Sequence, residues 1–244
     1  MTIEATSNFI RFQAVFNFRD VGGLATDRGA VKGRTLFRSD TLHRLADADQ
    51  AAYQVLGVQT VIDLRRPEEV RSSGRAPEWA APQYHHCHLD HPHWKHSDYR
   101  EELGVARYLA DRYVELARYG HRDIAHVVEL IAGEESGPVA VHCVAGKDRT
   151  GTVVAFVLEL LGVDDDAIAG EYALTERSEE LFVAWARDHV EGFADKPAVP
   201  YYVSTPPEAI LLTLRELRKE FGSVQRLLGL TDATVDRLRA KLLA

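Results

Sequence analysis

The chain contains 244 residues, of which 45% are hydrophobic and 27% are charged, a composition typical of a globular domain with or without a helical appendage. The formal net charge of −8 argues against nucleic acid as a partner, because no broad basic surface is available for a phosphate backbone. Residues 1–15 lack a signal-peptide core, no apolar run reaches membrane-span length and only two cysteines occur, so we expect a cytoplasmic protein without membrane insertion, although export without a cleavable signal stays compatible with the sequence.

The first part of the chain predicts two short strands separated by polar turns. Residues 16–23 alternate as in a strand and close on two glycines, and residues 32–38 precede a polar helix around 46–56. Charged side chains stand out in this region: Arg19, Asp20, Arg38 and Asp40. We interpret them as turn and helix-cap residues in preference to a buried polar network that braces an active site.

Residues 59–64 form the clearest strand in the first half of the sequence. If this strand is parallel to its neighbours, Asp63 and Arg65 lie at the carboxyl edge of the sheet, where ligands bind in α/β proteins. We therefore predict Asp63 as an acid or base and Arg65 as a contact for a phosphate or lipid headgroup. Alternatively, Arg65 and the charges at 66–69 belong to a solvated loop and helix start.

The segment 84–96 is rich in histidine, with six of the eleven in the chain: His85, His86, His88, His91, His93 and His96. Strand-like alternation would place His86 and His88 on one face, which raises the question of a metal site. No helical pair of histidines and no second cysteine accompany them. We interpret the segment as a strand that leads into a loop over a pocket, where imidazole can give pH sensitivity.

Two amphipathic helical stripes follow. Val105, Leu109, Tyr113 and Leu116 recur at intervals of three or four within residues 97–119, and a second stripe of this kind occupies 124–131. The second stripe predicts a core helix. The first stripe fits either a cover over a pocket or ordinary packing on the core.

The ten residues 142–151 read His-Cys-Val-Ala-Gly-Lys-Asp-Arg-Thr-Gly. They lie between a short β-branched run at 138–141 and a longer apolar run at 152–161 that ends at a glycine. This pattern predicts a buried strand, a turn and a buried helix. A turn of this kind offers several backbone N–H groups and a helix N-terminus to one anion.

The side chains of this turn favour covalent chemistry on a phosphoester. Cys143 faces the positive end of the helix dipole, which favours the nucleophilic thiolate. Arg149, with five residues between, can donate two parallel bonds to phosphoryl oxygens. Gly146 lets the backbone approach a ligand closely, and Thr150 can donate a hydrogen bond to the sulfur.

The remainder of the chain is predicted to be helical. Asp164 begins a helical region that includes residues 167–191, and we interpret its acidic stretch at 176–180 as a solvated face. Pro207 marks the first turn of a further helix, and another apolar stripe follows before the C-terminus.

Residues 142–151 resemble the Cys-x5-Arg signature loop of the protein tyrosine phosphatase superfamily, and their Gly-Lys-Asp-Arg filling is similar to that of its bacterial dual- or triple-specificity group. Further similar motifs lie at 17–23, 36–40, 61–65, 221–223 and 228–230. The resemblance implies one α/β domain over 1–244, with a central, mostly parallel sheet flanked by helices. It also implies a helical lid at about 97–119 and C-terminal helices.

The activity implied by this resemblance is hydrolysis of phosphotyrosine, and of phosphoserine, phosphothreonine or phosphoinositide monoesters, through a phosphocysteine intermediate. The partners are then phosphorylated proteins or phosphoinositides, and neither a cofactor nor a metal is implied. The loop from Val144 and Ala145 through Gly146 would bind the phosphoryl group with its amides. Lys147 would add a second cation for multiply phosphorylated substrates.

Many tyrosine phosphatases take their general acid from a Trp-Pro-Asp loop, and this sequence has no such motif. Asp148 is the first choice for the acid because it lies inside the signature loop. Asp63 is the second choice and Asp90 the third.

Other classes of protein also bind anions beside a cysteine. A sulfurtransferase or an arsenate reductase is the alternative enzyme, and a phosphate-binding module without turnover is the alternative binding protein. A nucleotide-binding P-loop is excluded, since Val141 stands where that motif needs its first glycine and Asp148 where it needs serine or threonine.

Overall fold

A five-stranded sheet forms the centre of the computed structural model, which describes residues 8–94, 98–189 and 200–244. In this part of the chain the strands are β1 (Arg19–Asp20), β2 (Ala25–Thr26), β3 (Gly29–Ala30), β4 (Leu36–Ser39), β5 (Thr60–Asp63), β6 (Gln83–His86) and β7 (Val139–His142). The sheet order is β1-β4-β7-β5-β6, in which only β1 is antiparallel to its neighbour, while β2 and β3 form a separate hairpin.

The central position of β7 sets the location of the signature loop. His142, its last residue, is in register with Ser39 of β4 on one side and with Asp63 of β5 on the other. Three parallel strands therefore end at one level, and the loop begins there. Every residue of these three strands is buried, as expected for parallel strands covered on both faces.

Helices pack on both sides of the sheet. They are α1 (Gln50–Gln54), α2 (Pro67–Ser73), α3 (Gly104–Ala132), α4 (Asp148–Leu161), α5 (Asp165–Ala173), α6 (Thr175–His189), α7 (Pro200–Val203), α8 (Pro207–Phe221), α9 (Val224–Leu228) and α10 (Asp232–Leu242). The larger core cluster contains Val139 and Val141, whereas Ala140 belongs to a smaller cluster rich in phenylalanine. Because neighbouring strand residues point to opposite faces, the two clusters occupy opposite sides of the sheet.

The predicted α/β class with a mostly parallel sheet is confirmed. The buried strands expected at 59–64 and 138–141 are present as β5 and β7. The helix expected around 46–56 is shorter, since only Gln50–Gln54 is α-helical. None of the described helices has both the length and the apolarity to cross a membrane.

The predicted boundary between a lid helix at 97–119 and a core helix at 124–131 is wrong. Both stripes belong to α3, a single helix of 29 residues, and residues 95–97 lie outside the described part of the chain. Leu109, Tyr113 and Leu116 are buried in the core cluster, so the first half of α3 packs on the core. The helix continues through Gly120, where the backbone oxygen of Asp90 passes 3.2 Å from the position that a Cβ would take.

Candidate active site

The signature loop, residues 142–151, is held by hydrogen bonds to its carbonyl oxygens. The carbonyls of residues 144–146 accept, in order, from the Thr41 amide at 3.0 Å, the Asn17 side-chain amide at 2.9 Å and the Arg38 guanidinium at 2.6 Å. Among the described residues, nothing accepts from the amides of 144–149. These amides are therefore available to an anion, as expected at the N-terminus of α4.

Gly146 has a structural role in addition to the predicted one. Its φ is +68°, and a Cβ at this position would lie 2.4 Å from the carbonyl oxygen of Ser39. The sequence-based interpretation assigned this glycine to close approach of a ligand. The structure adds a close approach to the end of β4, which leaves no room for any side chain. The approach of a ligand stays a prediction.

Cys143 follows β7 directly and is 2% exposed, at the base of the loop. Thr150, in the first turn of α4, is fully buried, and its hydroxyl has no hydrogen-bond partner among the described residues. The predicted bond from Thr150 to the sulfur is therefore not formed here. An unpaired buried hydroxyl is costly, so this group is available to a reacting species in the loop.

Arg149 forms a two-bond ion pair with Glu69 of α2. Its Nη1 lies 2.6 Å from Oε2 of Glu69, and its Nη2 lies 3.0 Å from Oε1. Burial alone would lower the pKa of Arg149, but the nearby charges of Cys143 and Glu69 outweigh burial and raise it. The guanidinium is thus held charged beside the cysteine, with Nε outside the ion pair.

Lys147 is not placed as the predicted second cation for substrate. The side chain is 2% exposed, and its Nζ donates to the carbonyl oxygens of Tyr201 and Tyr202 in α7, the latter at 3.3 Å. The nearest carboxylate oxygen to Nζ, on Asp148, lies 4.0 Å away. Lys147 therefore ties the signature loop to α7, and the prediction of a substrate contact is corrected.

Asp148 lies beside Arg149 on the wall of a pocket of about 210 Å³. Its side chain is 28% exposed, and Oδ1 accepts a hydrogen bond of 2.6 Å from the Tyr113 hydroxyl. That hydroxyl is in turn 2.7 Å from the hydroxyl of Tyr172. Asp148 is thus oriented by a buried tyrosine pair and still reaches solvent through the pocket.

The structure contradicts the prediction that Asp63 is an acid or base in the reaction. Asp63 is fully buried and accepts hydrogen bonds from Arg65 at 2.7 Å and from the Tyr84 hydroxyl at 2.8 Å. Burial would raise the pKa of Asp63, but His142 and Arg65 together lower it well below the usual range. A carboxylate without a proton cannot act as the acid. Asp90, the third choice, is exposed and lies outside the pocket lining.

The prediction for Arg65 is wrong for a related reason. The side chain is 1% exposed and is surrounded by acceptors within the protein. Besides Asp63, it donates to the Ser73 hydroxyl at 2.9 Å and to the Gly74 carbonyl at 2.8 Å. Arg65 therefore fastens the C-terminal end of α2 to β5 and cannot reach a substrate.

A buried ionic network lies behind the loop. Glu171 of α5 accepts from Arg19 at 2.7 Å and from Arg38 at 2.5 Å, and Arg38 also holds the Gly146 carbonyl. Asp40 accepts from the amides of residues 16 and 17. The bracing network that was the less favoured interpretation is therefore present. Turn chemistry applies to Asp20 alone.

Asp20 accepts from the amides of Gly22 at 2.9 Å and Arg34 at 2.7 Å, which is the predicted turn role.

The histidine-rich segment reaches the pocket in part, because His91 and His93 line it. His96 lies outside the described residues. His86 bonds the Arg65 carbonyl at 2.8 Å. Within the described ranges, no cluster of histidine, cysteine or carboxylate side chains is arranged to hold a metal ion.

One wall of the pocket is aromatic. The Tyr108 and Tyr201 rings are tilted by 45° with centroids 4.6 Å apart, and the Tyr202 ring centroid lies 4.9 Å from that of Tyr201. Trp94 and Leu109 complete this wall. A planar apolar group attached to a phosphate would therefore find aromatic rings to contact in this pocket.

The sequence profile of the tyrosine phosphatase family matches residues 10–244. The chain belongs to the tyrosine phosphatase family. The phosphatase is 32% identical to the triple specificity protein phosphatase PtpB of Mycobacterium tuberculosis, over 93% of this chain and 96% of that protein. A putative tyrosine-protein phosphatase of Cupriavidus necator is 29% identical over 96% of the chain and 88% of its own length. A tyrosine-protein phosphatase of Nostoc commune is 30% identical over 60% of this chain and 50% of its own length.

These similarities establish a phosphoric monoester hydrolase of the protein phosphatase type. Sequence reasoning missed two acidic residues of this phosphatase, Glu69 and Glu171. Glu69 lies two residues after Pro67 at the start of α2 and accepts from the Arg66 amide as a helix cap. The sequence pattern predicts this cap, but it does not predict the ion pair between Glu69 and Arg149. Glu171 has no local signal, because its arginine partners lie far away in the sequence.

Glu179 is buried, although the acidic stretch 176–180 to which it belongs is predicted to be a solvated face. Glu179 is 5% exposed and lies beside Val144 and Ala145 on a small cavity of about 50 Å³. Burial raises the pKa of Glu179 to about 7, against the opposing charge of Lys147. A titratable carboxyl group therefore supports the signature loop from the side of α6.

Proposed function

We propose that this enzyme is a cysteine-dependent phosphatase in which Cys143 is the nucleophile and phosphotyrosine the principal substrate. The observation that carries the proposal is the hydrogen bonding of the loop around the buried sulfur. The carbonyls of residues 144–146 accept hydrogen bonds from outside the loop, whereas the amides of 144–149 have no acceptor in the part of the chain that the structure describes. The amides of Val144, Ala145 and Gly146 then bind phosphoryl oxygens, and Thr150 offers its hydroxyl to the sulfur. Anion binding of this kind stabilises charge that develops during phosphoryl transfer.

The reaction proceeds in two displacements. The Cys143 thiolate attacks phosphorus, so that the S–P bond forms while the bond from phosphorus to the ester oxygen breaks. Asp148 gives its proton to the departing oxygen and becomes a carboxylate. The same carboxylate then takes a proton from water, whose oxygen bonds phosphorus as the S–P bond breaks. Inorganic phosphate leaves, and both the thiolate and the protonated acid are restored.

Two features support Asp148 in preference to the other carboxyl groups. It combines partial exposure with a place on the same pocket wall as Arg149. The Tyr113 hydroxyl fixes one carboxyl oxygen, which leaves the other free to face a leaving group. Asp63 is fully buried at the end of β5, and Asp90 lies outside the pocket lining.

The aromatic wall supports aryl phosphates as the best substrates. Hydrolysis of phosphoserine, phosphothreonine and phosphoinositide monoesters is proposed as a weaker activity, since these leaving groups fill less of the ring-lined space. The relative from Mycobacterium tuberculosis is named for triple specificity, which makes the range worth measuring here.

The decisive experiment compares hydrolysis of phenyl phosphate by wild type, Cys143→Ser and Cys87→Ser. We expect Cys143→Ser to lose several orders of magnitude in kcat, because a serine hydroxyl is hardly ionised near neutral pH. Cys87 is a matched control, because burial raises the pKa of its thiol to about 11 and Asp123 adds to the shift. Retained turnover in Cys143→Ser, or absence of a phosphocysteine after acid quench of wild type, would refute the covalent route.

The acid is tested by leaving-group dependence. Asp148→Asn should lose far more activity on an alkyl phosphate than on p-nitrophenyl phosphate, because the alkoxide needs protonation and the nitrophenolate hardly does. Equal losses on the two esters would remove Asp148 from this role.

A further inference from the structure

Arg66 is a pocket-lining cation that the proposed mechanism does not use. It follows Arg65 in sequence, yet its side chain is half-buried on the same pocket wall as Arg149. The guanidinium donates to the carbonyl oxygens of His91 at 2.9 Å and Pro92 at 3.3 Å, and its Nη1 lies 3.0 Å from Nε2 of His93. None of these partners is a carboxylate.

The other arginines around the site are neutralised by carboxylates. Glu69 pairs with Arg149, Asp63 with Arg65, and Glu171 with both Arg19 and Arg38. No carboxylate of the described residues forms an ion pair with Arg66. Glu69 interacts electrostatically with Arg66, but its carboxylate oxygens are bonded to the two terminal nitrogens of Arg149. Glu68 lies 3.9 Å from the His93 ring nitrogen and is about half exposed, so solvent screens its charge.

The Arg66 guanidinium, which has no ion-pair partner among the described residues, is fixed in position. The Arg66 backbone amide donates to Glu69 at 2.6 Å, and the same carboxylate holds Arg149, so the two arginines are linked through one side chain. The His91 ring also approaches the guanidinium at 3.3 Å and keeps an acceptor there, since burial first and Arg66 second lower the pKa of His91 to about 4. A guanidinium oriented in this way loses little side-chain entropy on binding.

We propose that Arg66 forms a second anion-binding subsite, which selects phosphotyrosine peptides that carry an acidic residue next to the phosphotyrosine. The proposal rests on the proposed function and adds the substrate class. A ligand that spans the pocket has its phosphate at Arg149, its ring against Tyr108 and Tyr201, and a carboxylate at Arg66. A phosphorylated inositol ring carries a second anion as well, but its hydroxyl groups would lose water against these aromatic faces.

The test uses matched phosphotyrosine peptides with glutamate or glutamine immediately before or after the phosphotyrosine, and phenyl phosphate as a substrate without a second anion. Wild type should prefer the better-placed glutamate peptide by about tenfold in kcat/KM, mainly through KM. Arg66→Gln should reduce this ratio to about one, Arg66→Lys should retain part of it, and the exposed Arg71→Gln on the same helix should retain all of it. Higher ionic strength should weaken the wild-type preference.

Three outcomes overturn the subsite. In the first, wild type turns over phenyl phosphate yet shows no preference for the glutamate peptide. In the second, Arg66→Gln lowers kcat/KM by the same factor on the glutamate and glutamine peptides. The third is a loss confined to a soluble inositol bisphosphate, which would assign Arg66 to a lipid headgroup. Failure of wild type on phenyl phosphate would instead refute the proposed function itself. Thermal unfolding of each variant shows whether a loss arises from misfolding.

Discussion

The Arg149 guanidinium meets the Glu69 carboxylate through its two terminal nitrogens, at 2.6 and 3.0 Å. This arrangement occupies the outer edge of the guanidinium and leaves the edge formed by Nε and Nη2 for phosphoryl oxygens. Because α2 supplies Glu69 and the loop supplies Arg149, the helix fixes the orientation of the phosphate-binding arginine. In the proposed mechanism, Glu69 therefore positions Arg149 and does not itself contact the substrate.

Replacing Glu69 by glutamine should test this positioning role. The shape is kept, but the buried guanidinium loses its charged partner, so we expect kcat on phenyl phosphate to fall by about tenfold or more, with a smaller change in KM. The control is Glu68→Gln, on the same turn of helix but about half exposed. Faster turnover in Glu69→Gln would mean that the carboxylate competes with substrate for Arg149.

Gly146→Ala should destabilise the protein. The φ of +68° disfavours any side chain, and the added methyl group would meet the Ser39 carbonyl at 2.4 Å. We expect the free energy of unfolding to fall by about 3 kcal/mol, measured by urea denaturation. Gly170→Ala is the matched control, because that helical position is open and should be neutral or slightly stabilised. An unchanged midpoint for Gly146→Ala would show that the loop can move away from β4.

Asp63→Asn should affect folding and leave the chemistry unaltered. The substitution leaves the buried Arg65 guanidinium without its counter-charge, which costs on the order of 3–5 kcal/mol of stability. The ratio of alkyl to aryl phosphate hydrolysis should remain that of wild type in the folded fraction. A selective loss on the alkyl ester would restore Asp63 as the acid. Asp90→Asn, at an exposed position, serves as the neutral comparison.

Glu179 should make stability depend on pH. Its pKa of about 7 in the folded protein exceeds the ordinary value of 4.5, so the folded state binds a proton more tightly than the unfolded state. Stability is therefore highest below about pH 4.5 with respect to this group, and it falls as pH rises through 7. Glu179→Gln should be more stable than wild type at pH 8 by on the order of 2 kcal/mol, with a smaller difference at pH 5. Equal differences at the two pH values would contradict the shift.

The fold was largely predictable because its signals are local. The β-branched runs that became β5 and β7, and the glycine and apolar pattern around residues 142–151, each carry their own information on strand, turn and helix. Two adjacent arginines illustrate a difference that local sequence patterns do not predict. Arg65 turns inward to Asp63, whereas Arg66 lines the pocket, and nothing in the sequence distinguishes the two side chains.

Long-range partners explain the remaining errors. Lys147 was expected to face the substrate because it lies inside the loop, but α7 brings carbonyl oxygens to it from more than fifty residues away in the chain. The sequence around Arg38 favours a turn residue, whereas in the structure Arg38 donates to Glu171 and to the Gly146 carbonyl. Buried charge pairs of this kind depend on the tertiary arrangement and leave no periodic pattern.

The bonds from Lys147 to residues 201 and 202 use main-chain oxygens only. Every amino acid carries such an oxygen, so mutation of either tyrosine changes the aromatic wall of the pocket while the ammonium group keeps its acceptors. Divergent descendants of this enzyme can therefore acquire new preferences by exchanging those rings, without having to rebuild the part that performs the reaction.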